Sequence, residues 1–488
     1  MKKTVRNVAR RTVVAMRKAP IYRFIPVASV RDYAALQHLD SKGPDAVVDY
    51  VKETGRLPDL RPSTMRIASQ AAAAAGDTDL AVRISKGGHS ALPLDHFKRL
   101  LAQGDDAAVE RLASEMIERY PEATAPHLAL SDLRAFQGDY SGAFECARRA
   151  RLLSPHSSNA AAREVRLSYL LDDLASADDL ALAALERFPS KADVVWAACK
   201  GCSSEAQYER LVAVWRQTVA RPAHVMAGVR PFANAAMRAE RFDDAIALYA
   251  EACVYLLRGD AVGGSLPVKE LRGKGAVSVI DDIASVLDDL GVPFFIAAGT
   301  ALGVVRDGKP LDHDNDIDIG VWDADYNREA LLKAFTAHPN FDLDKPHPSS
   351  PKVGLVHRRG VVVDIFRFYE EDGRIFHDGV FVRWFNVPFV TAARDVGGRE
   401  IHVPEPADDY LTDCYGDWRV PDPTFEAFVD APNVEVVWPE YLAAHRVRRA
   451  YRFIRELDLL SASHECAAIR PELTRSVAGR SLLEEMSL

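Results

Sequence analysis

The chain has 488 residues, 48% of them hydrophobic and 27% charged, with a formal net charge of −9. That length is too great for one ordinary core, so two or three domains are expected. The composition excludes a disordered chain, and the acidic balance argues against a general nucleic-acid binder. Six cysteines occur, Cys146, Cys199, Cys202, Cys253, Cys414 and Cys466, and only Cys199 and Cys202 form a CxxC pair. No second pair stands near enough to complete a zinc site, so they are expected to be reduced and structural. No apolar run reaches the roughly 18 residues of a transmembrane helix, and the first residues lack the apolar core of a signal peptide. A cytoplasmic location is expected.

Residues 1–30 carry Lys2, Lys3, Arg6, Arg10, Arg11, Arg17, Lys18 and Arg23 without an acidic residue. Val5, Val8, Val13 and Met16 fall on one helical face, which suits a helix lying on the anionic inner face of a membrane. A solvated tail is the plainer alternative.

Prolines then recur. Pro121, Pro155 and Pro189 are spaced by one constant interval, and Pro222 follows at nearly the same step. Ala143, Ala177 and Ala245 keep that register, as do Ala147 and Ala181. Small residues let two helices approach closely, and proline stops a helix. Helical hairpin repeats are therefore expected over residues 60–258, resembling tetratricopeptide repeats in unit length. Such a stack can present a surface to a protein partner.

Near residue 276 the pattern changes. Ala276, Ile280, Ile283, Leu287 and Leu290 make one helical stripe, stopped by Gly291. A short buried strand is expected over 292–298, then a glycine-containing turn, Gly299 to Arg306. The next segment, Asp314 to Val321, alternates. On a strand, Asp316 and Asp318 share one face while Ile317, Ile319 and Val321 enter the core. Two carboxylates so placed repel unless a cation lies between them, and a divalent ion with oxygen ligands suits them. Asp314 continues the same face as a further metal ligand. Charges also blunt exposed sheet edges, but the strongly apolar opposite face argues for a strand anchored in a core. Asp364, inside the apolar run Val361–Phe368, is a third carboxylate where an unpaired buried acid would be costly. Gly299 and Thr300 can bring amides and a hydroxyl to a phosphate, with Arg306 and, more weakly, Lys309 and Lys352 as cationic contacts. His313, His357, His377 and His402 lack any ligand spacing.

These residues resemble the LicD/fukutin family of the nucleotidyltransferase superfamily. The matching text is Gly299-Thr-Ala-Leu-Gly-Val-Val-Arg306, Asp314-Asn-Asp-Ile-Asp-Ile319, Asp364 in Val-Asp-Ile-Phe, and downstream Tyr410-Leu411 with Tyr415-Gly416. His313, Asp312 and Asn315 depart from the family's usual text. The resemblance spans about 270–425. It implies an α+β nucleotidyltransferase-like domain with a mixed sheet over 270–430, so that with the all-α helical-repeat domain and C-terminal helices over 436–488 a multidomain chain is expected. It implies magnesium-dependent transfer of an alcohol phosphate (ribitol or glycerol phosphate, or phosphocholine) from a CDP-linked donor to a glycan or lipid-linked glycan, releasing CMP. Asp316, Asp318 and Asp364 would hold two magnesium ions, with manganese as the alternative ion, and Asp364 would orient or deprotonate the acceptor hydroxyl. Tyr410, Tyr415 and Trp418 are expected to pack beside the site. The alternatives are nucleotidyl transfer from a nucleoside triphosphate, and a repeat adaptor carrying an inactive transferase domain. The basic run Arg446–Arg455 is left open between membrane, acceptor and solvent.

Overall fold

The computed structural model describes residues 44–54, 94–171, 174–219, 222–261, 275–311, 314, 316–344 and 350–488, with single positions Ala35, Leu39, Ala68, Ala71, Ala72 and Leu80. The basic segment 1–30 and residues Asp312, His313 and Asn315 lie outside the described residues. Two compact units form, residues 1–133 with 145–155, and residues 134–144 with 156–488.

The described helices of the first half are α1 (Pro44–Thr54), α2 (Leu94–Gln103), α3 (Asp106–Arg119), α4 (Ala125–Phe136), α5 (Tyr140–Leu153), α6 (Ser158–Leu170), α7 (Leu174–Arg187), α8 (Ala192–Gly201), α9 (Glu205–Thr218), α10 (Pro222–Arg238) and α11 (Phe242–Leu257). In the smaller unit, Phe97, Leu101, Val109, Ala113, Met116, Ala129 and Leu133 share one core.

In the larger unit, α6 packs on α7 and α8, α7 on α9, α8 on α10, and α10 on α11. Successive helix pairs thus stack side by side. Ala143, Ala147, Ala177, Ala181 and Ala245 are all fully buried, as their spacing predicts. Glycine makes two of the crossings: a Cβ on Gly201 would stand 2.3 Å from the Tyr169 ring, and one on Gly228 2.2 Å from Trp215. Pro121, Pro155 and Pro189 each follow a helix end. Pro222 departs from that pattern and opens α10, where its missing N–H costs no hydrogen bond.

The second half contains α12 (Ala276–Asp289), β1 (Phe294–Ile296), α13 (Ala298–Asp307), β2 (Asp316–Trp322), α14 (Arg328–Ala337), β3 (Phe341–Leu343), β4 (Val353–His357), β5 (Val362–Glu371), β6 (Arg374–Asp378), β7 (Val382–Asn386), β8 (Val390–Val396), β9 (Arg399–Glu405), α15 (Ala407–Tyr415) and β10 (Val434–Val436). The main sheet runs β1-β2-β5-β6-β7-β10, with β4 on the first half of β5 and β3 beyond β4. It is mixed: β2 and β5 are parallel, the other pairs antiparallel. Ile317, Ile319, Val321, Val363 and Ile365 are fully buried in one core with Ile280, Ile283 and Leu287 of α12, whereas Leu290, the last position of the expected stripe, is exposed at the helix end. The stretch Gly299–Arg306, expected as a turn, is instead helix α13. Its glycines serve packing: a Cβ on Gly303 would lie 2.7 Å from the Leu311 amide.

The chain ends with α16 (Pro439–Glu456), α17 (Leu459–Ala468), α18 (Arg470–Leu473) and α19 (Val477–Glu485). α16 and α19 pack on α11, so these helices extend the core of the helical stack. The arginines of α16 face inward partners: Arg446 and Arg449 pair with Glu465, Arg448 with Glu426, Arg449 with Asp430, and Arg452 donates to the Pro423 carbonyl. This basic run is internal wiring that holds the segment before β10 to α16. No helix among the described residues is long and apolar enough to cross a membrane.

Candidate active site

The site grows from strand register. Asp318 on β2 lies opposite Asp364 on β5, and Asp316 lies two positions earlier opposite Val362. Residues opposite one another on paired strands share a face, so all three carboxylates project from the same side of the sheet. Their ligand atoms lie within 4.8 Å of one another. The other side of β2 is sealed in the core, so the pattern cannot slip by one residue without burying acids.

Local contacts fix the strand against α13. The Thr300 hydroxyl, itself buried, accepts the Asp318 N–H at 2.9 Å. The buried Tyr410 hydroxyl accepts the Ala298 N–H at 3.0 Å, tying α15 to the start of α13. Gly299 sits in that first helical turn. A Cβ there would stand 2.6 Å from Asp314 Oδ2 and 3.6 Å from Asp318 Oδ2. The glycine therefore lets the helix N-terminus meet the carboxylates, and the first-turn amides have no acceptor within their own helix.

Electrostatics matches the geometry. Burial, then the neighbouring Asp314 and Asp364 carboxylates, push the Asp316 carboxyl up to about 8. Burial and the same crowding of acids raise Asp318 well above the usual carboxylate range. Lys352 opposes both shifts and ion-pairs directly with Asp364. An all-oxygen donor set held this close against its own repulsion fits a hard divalent ion such as magnesium. Asp316, Asp318 and Asp364 would hold it, with Asp314 adjacent.

Other candidates lie elsewhere. Arg306 stands at the C-terminal end of α13, about 10 Å along the axis from Gly299. It donates to the Trp418 carbonyl and pairs with Asp307. Lys309 lies in the loop after α13. His357 is buried against Asp282, His377 lies among Phe366, Phe368 and Trp384 with burial pushing it down to about 3, and His402 meets Thr391. Tyr415 packs on Phe425. All six cysteines are free and buried, and Arg238 binds the carbonyls of Cys199 and Cys202.

One feature of the site escaped the sequence. The register continues outward as two rows. Asp318, Asp364 and Gly354 form one, extended by Asp344, whose N–H donates to the Gly354 carbonyl. Asp316, Val362, Val356 and Asp342 form the other. At the far end of these rows the helical stack takes hold: Arg166 of α6 pairs with Asp342 and Lys200 of α8 with Asp344. Tyr140 also donates to Asp342, at 3.4 Å. Arg166 and Lys200 occupy the same place in successive repeats, and Asp342 and Asp344 alternate on one strand face. Those two spacings were the available signal.

A carboxylate face on neighbouring parallel strands, beside a helix N-terminus, is an arrangement able to hold a divalent cation next to a phosphate group. Residues 291–404 match the family described as LicD/FKTN/FKRP, nucleotidyltransferase domain. Over 180 residues the chain is 28% identical to the ribitol-5-phosphate transferase FKTN of Mus musculus and 26% identical to that of Homo sapiens. Each alignment covers 34% of this chain and 38% of the relative, so the match spans well under half of either protein. The likeness to the LicD/fukutin family is thus carried by this domain.

Proposed function

We propose that this protein transfers an alcohol phosphate from a CDP-activated donor to a glycan hydroxyl, releasing CMP. The observation that carries the reading is the convergence of Asp316, Asp318 and Asp364 on one face beside the N-terminus of α13. Ribitol phosphate is the first donor group to test, because the similar proteins are ribitol-5-phosphate transferases. The helix pairs are read as degenerate tetratricopeptide-type repeats, residues 270–430 as the catalytic domain and 436–488 as its helical extension.

A magnesium ion held by Asp316, Asp318 and Asp364, or a pair of them, would offset charge on the donor pyrophosphate and on departing CMP. The Gly299 and Thr300 amides, with the positive end of α13, hold the phosphate oxygens. Lys352 supplies a cation beside Asp364. The acceptor hydroxyl attacks the distal phosphorus in line. A new phosphorus–oxygen bond to the glycan forms as the bond to CMP breaks. Asp364, with Asp314 in reserve, orients that hydroxyl and receives its proton.

The test is a panel of CDP-linked donors (ribitol, glycerol, choline) scored for magnesium-dependent CMP release in the presence of glycans. CMP from one donor supports the reading. Pyrophosphate released from a nucleoside triphosphate would replace it with nucleotidyl transfer.

A further inference from the structure

The helical stack reaches the catalytic face through Arg166 and Lys200, and the same helices carry a second column of residues one turn away. α6, α8 and α10 pack side by side. Lys200 and Trp196 stand one turn apart on α8, on one helix face. Arg230 occupies on α10 the place that Trp196 occupies on α8, and its guanidinium lies 5.8 Å from the centre of the Trp196 ring. In the preceding repeat the same place holds Ala162. Trp196 is 37% exposed although it sits in a stack whose other large aromatics, Trp215, Tyr169 and Tyr208, are buried. The stack does not need this ring for its core. An exposed indole beneath a guanidinium offers a flat apolar surface with hydrogen-bond donors at its edge.

The position of this pair relative to the carboxylates follows from the sheet. Asp344, held by Lys200, lies two strands from Asp364, about 10 Å. Trp196 lies one helical turn from Lys200, about 5 Å. Along that path, with the Lys200–Asp344 ion pair between its two steps, the platform is within reach of a short saccharide chain from the reacting centre. Gly354, between Asp364 and Asp344, adds no side chain to that path.

We propose that Trp196 and Arg230 form an acceptor subsite, in which a sugar ring several units from the reacting hydroxyl stacks on the indole while Arg230 binds its hydroxyls or an anionic substituent. The subsite rests on the reading of the protein as a glycan-directed transferase, and it assigns the helical stack a direct role in acceptor length selection.

Two measurements on the full chain separate the subsite from that reading. In the first, CMP release is followed with xylose-, glucose- and N-acetylhexosamine-built acceptors of one to six units, for the unaltered protein, Trp196→Ala, Trp196→Phe and Arg230→Ala. Trp196→Ala is expected to raise KM for the longer acceptors about tenfold. KM for the CDP-linked donor, kcat, and KM for the monosaccharide stay within twofold, and Trp196→Phe recovers most of the loss. An unchanged KM for every acceptor length, or an equal loss with monosaccharide, overturns the subsite. In the second, tryptophan fluorescence is titrated with the same oligosaccharides without donor. A length-dependent signal that vanishes in Trp196→Phe supports the subsite even if no CDP-linked donor turns over, the outcome that would sink the functional reading alone. No such signal with any oligosaccharide, alongside active CMP release, sinks the subsite alone.

Discussion

Asp318 and Asp364 lie directly opposite one another on the parallel strands β2 and β5, at the only parallel pairing among the described strands. Each carboxylate is thereby held beside the other by backbone hydrogen bonds, and neither can relieve the repulsion by moving along its strand. The carboxylate cluster is built into the ladder itself.

Replacing one of these acids removes chemistry while relieving strain. Asp318→Asn and Asp316→Asn are expected to lower CMP release at least about 10³-fold, as expected for losing a catalytic ion's ligand. In chelator, both variants should melt above the unaltered protein, because a buried like-charge contact is gone. Paired activity and melting measurements check this; a variant that loses stability together with activity would assign the acids a structural role.

The raised Asp316 carboxyl sets the pH dependence of the metal-free protein. Its folded value, about 8, lies above the ordinary carboxylate value of 3.8. Between those values the folded state holds a proton that the unfolded state has lost. Its contribution to stability is therefore full at low pH and is lost as pH rises toward 8. Unfolding midpoints in chelator should fall from pH 5 to pH 8, and Asp316→Asn should flatten the slope. Added magnesium should displace the proton, with an affinity that rises over the same interval.

Gly299 separates activity from folding. Its backbone is helical, so alanine is acceptable to α13 and removes flexibility from the unfolded chain. The added Cβ, however, would stand 2.6 Å from Asp314 Oδ2. Gly299→Ala is expected to reduce turnover by roughly tenfold or more, about 1.4 kcal/mol in the barrier, with a melting temperature close to that of the unaltered protein. Unchanged kinetics would show that Asp314 moves aside freely.

Glu465 tests the internal wiring of α16. It is buried and accepts from both Arg446 and Arg449. Glu465→Gln should destabilise the folded chain by about 3 kcal/mol, since it leaves partly buried Arg446 without its counter-charge and Arg449 with Asp430 alone. Denaturant unfolding measures the loss.

The site was legible where chemistry and periodicity coincide. Alternation alone placed Asp316 and Asp318 opposite a core of Ile317, Ile319 and Val321, and an acid in an apolar run marked Asp364. The alanine and proline spacings marked the stacked helices. The helix α13 was missed because Gly299 and Gly303 read as turn residues, whereas they are close-approach positions whose need is visible only once Asp314 and Leu311 are placed. The role of the α16 arginines was hidden for a different reason. Their partners Glu426 and Asp430 lie in a segment without regular periodicity, and Glu465 lies on another helix. The strand β10 likewise depends on a partner distant in sequence, β7, which no local pattern supplies.

The most direct test of the functional account follows the distal phosphorus. CDP-ribitol labelled at the phosphorus next to ribitol is incubated with the protein, magnesium and a glycan acceptor, and the products are separated. The account predicts that label passes to the glycan in a one-to-one ratio with unlabelled CMP, and that Asp318→Asn stops both. Label retained in the nucleotide fraction while the glycan becomes modified, or label appearing only as free ribitol phosphate whatever glycan is supplied, would contradict it.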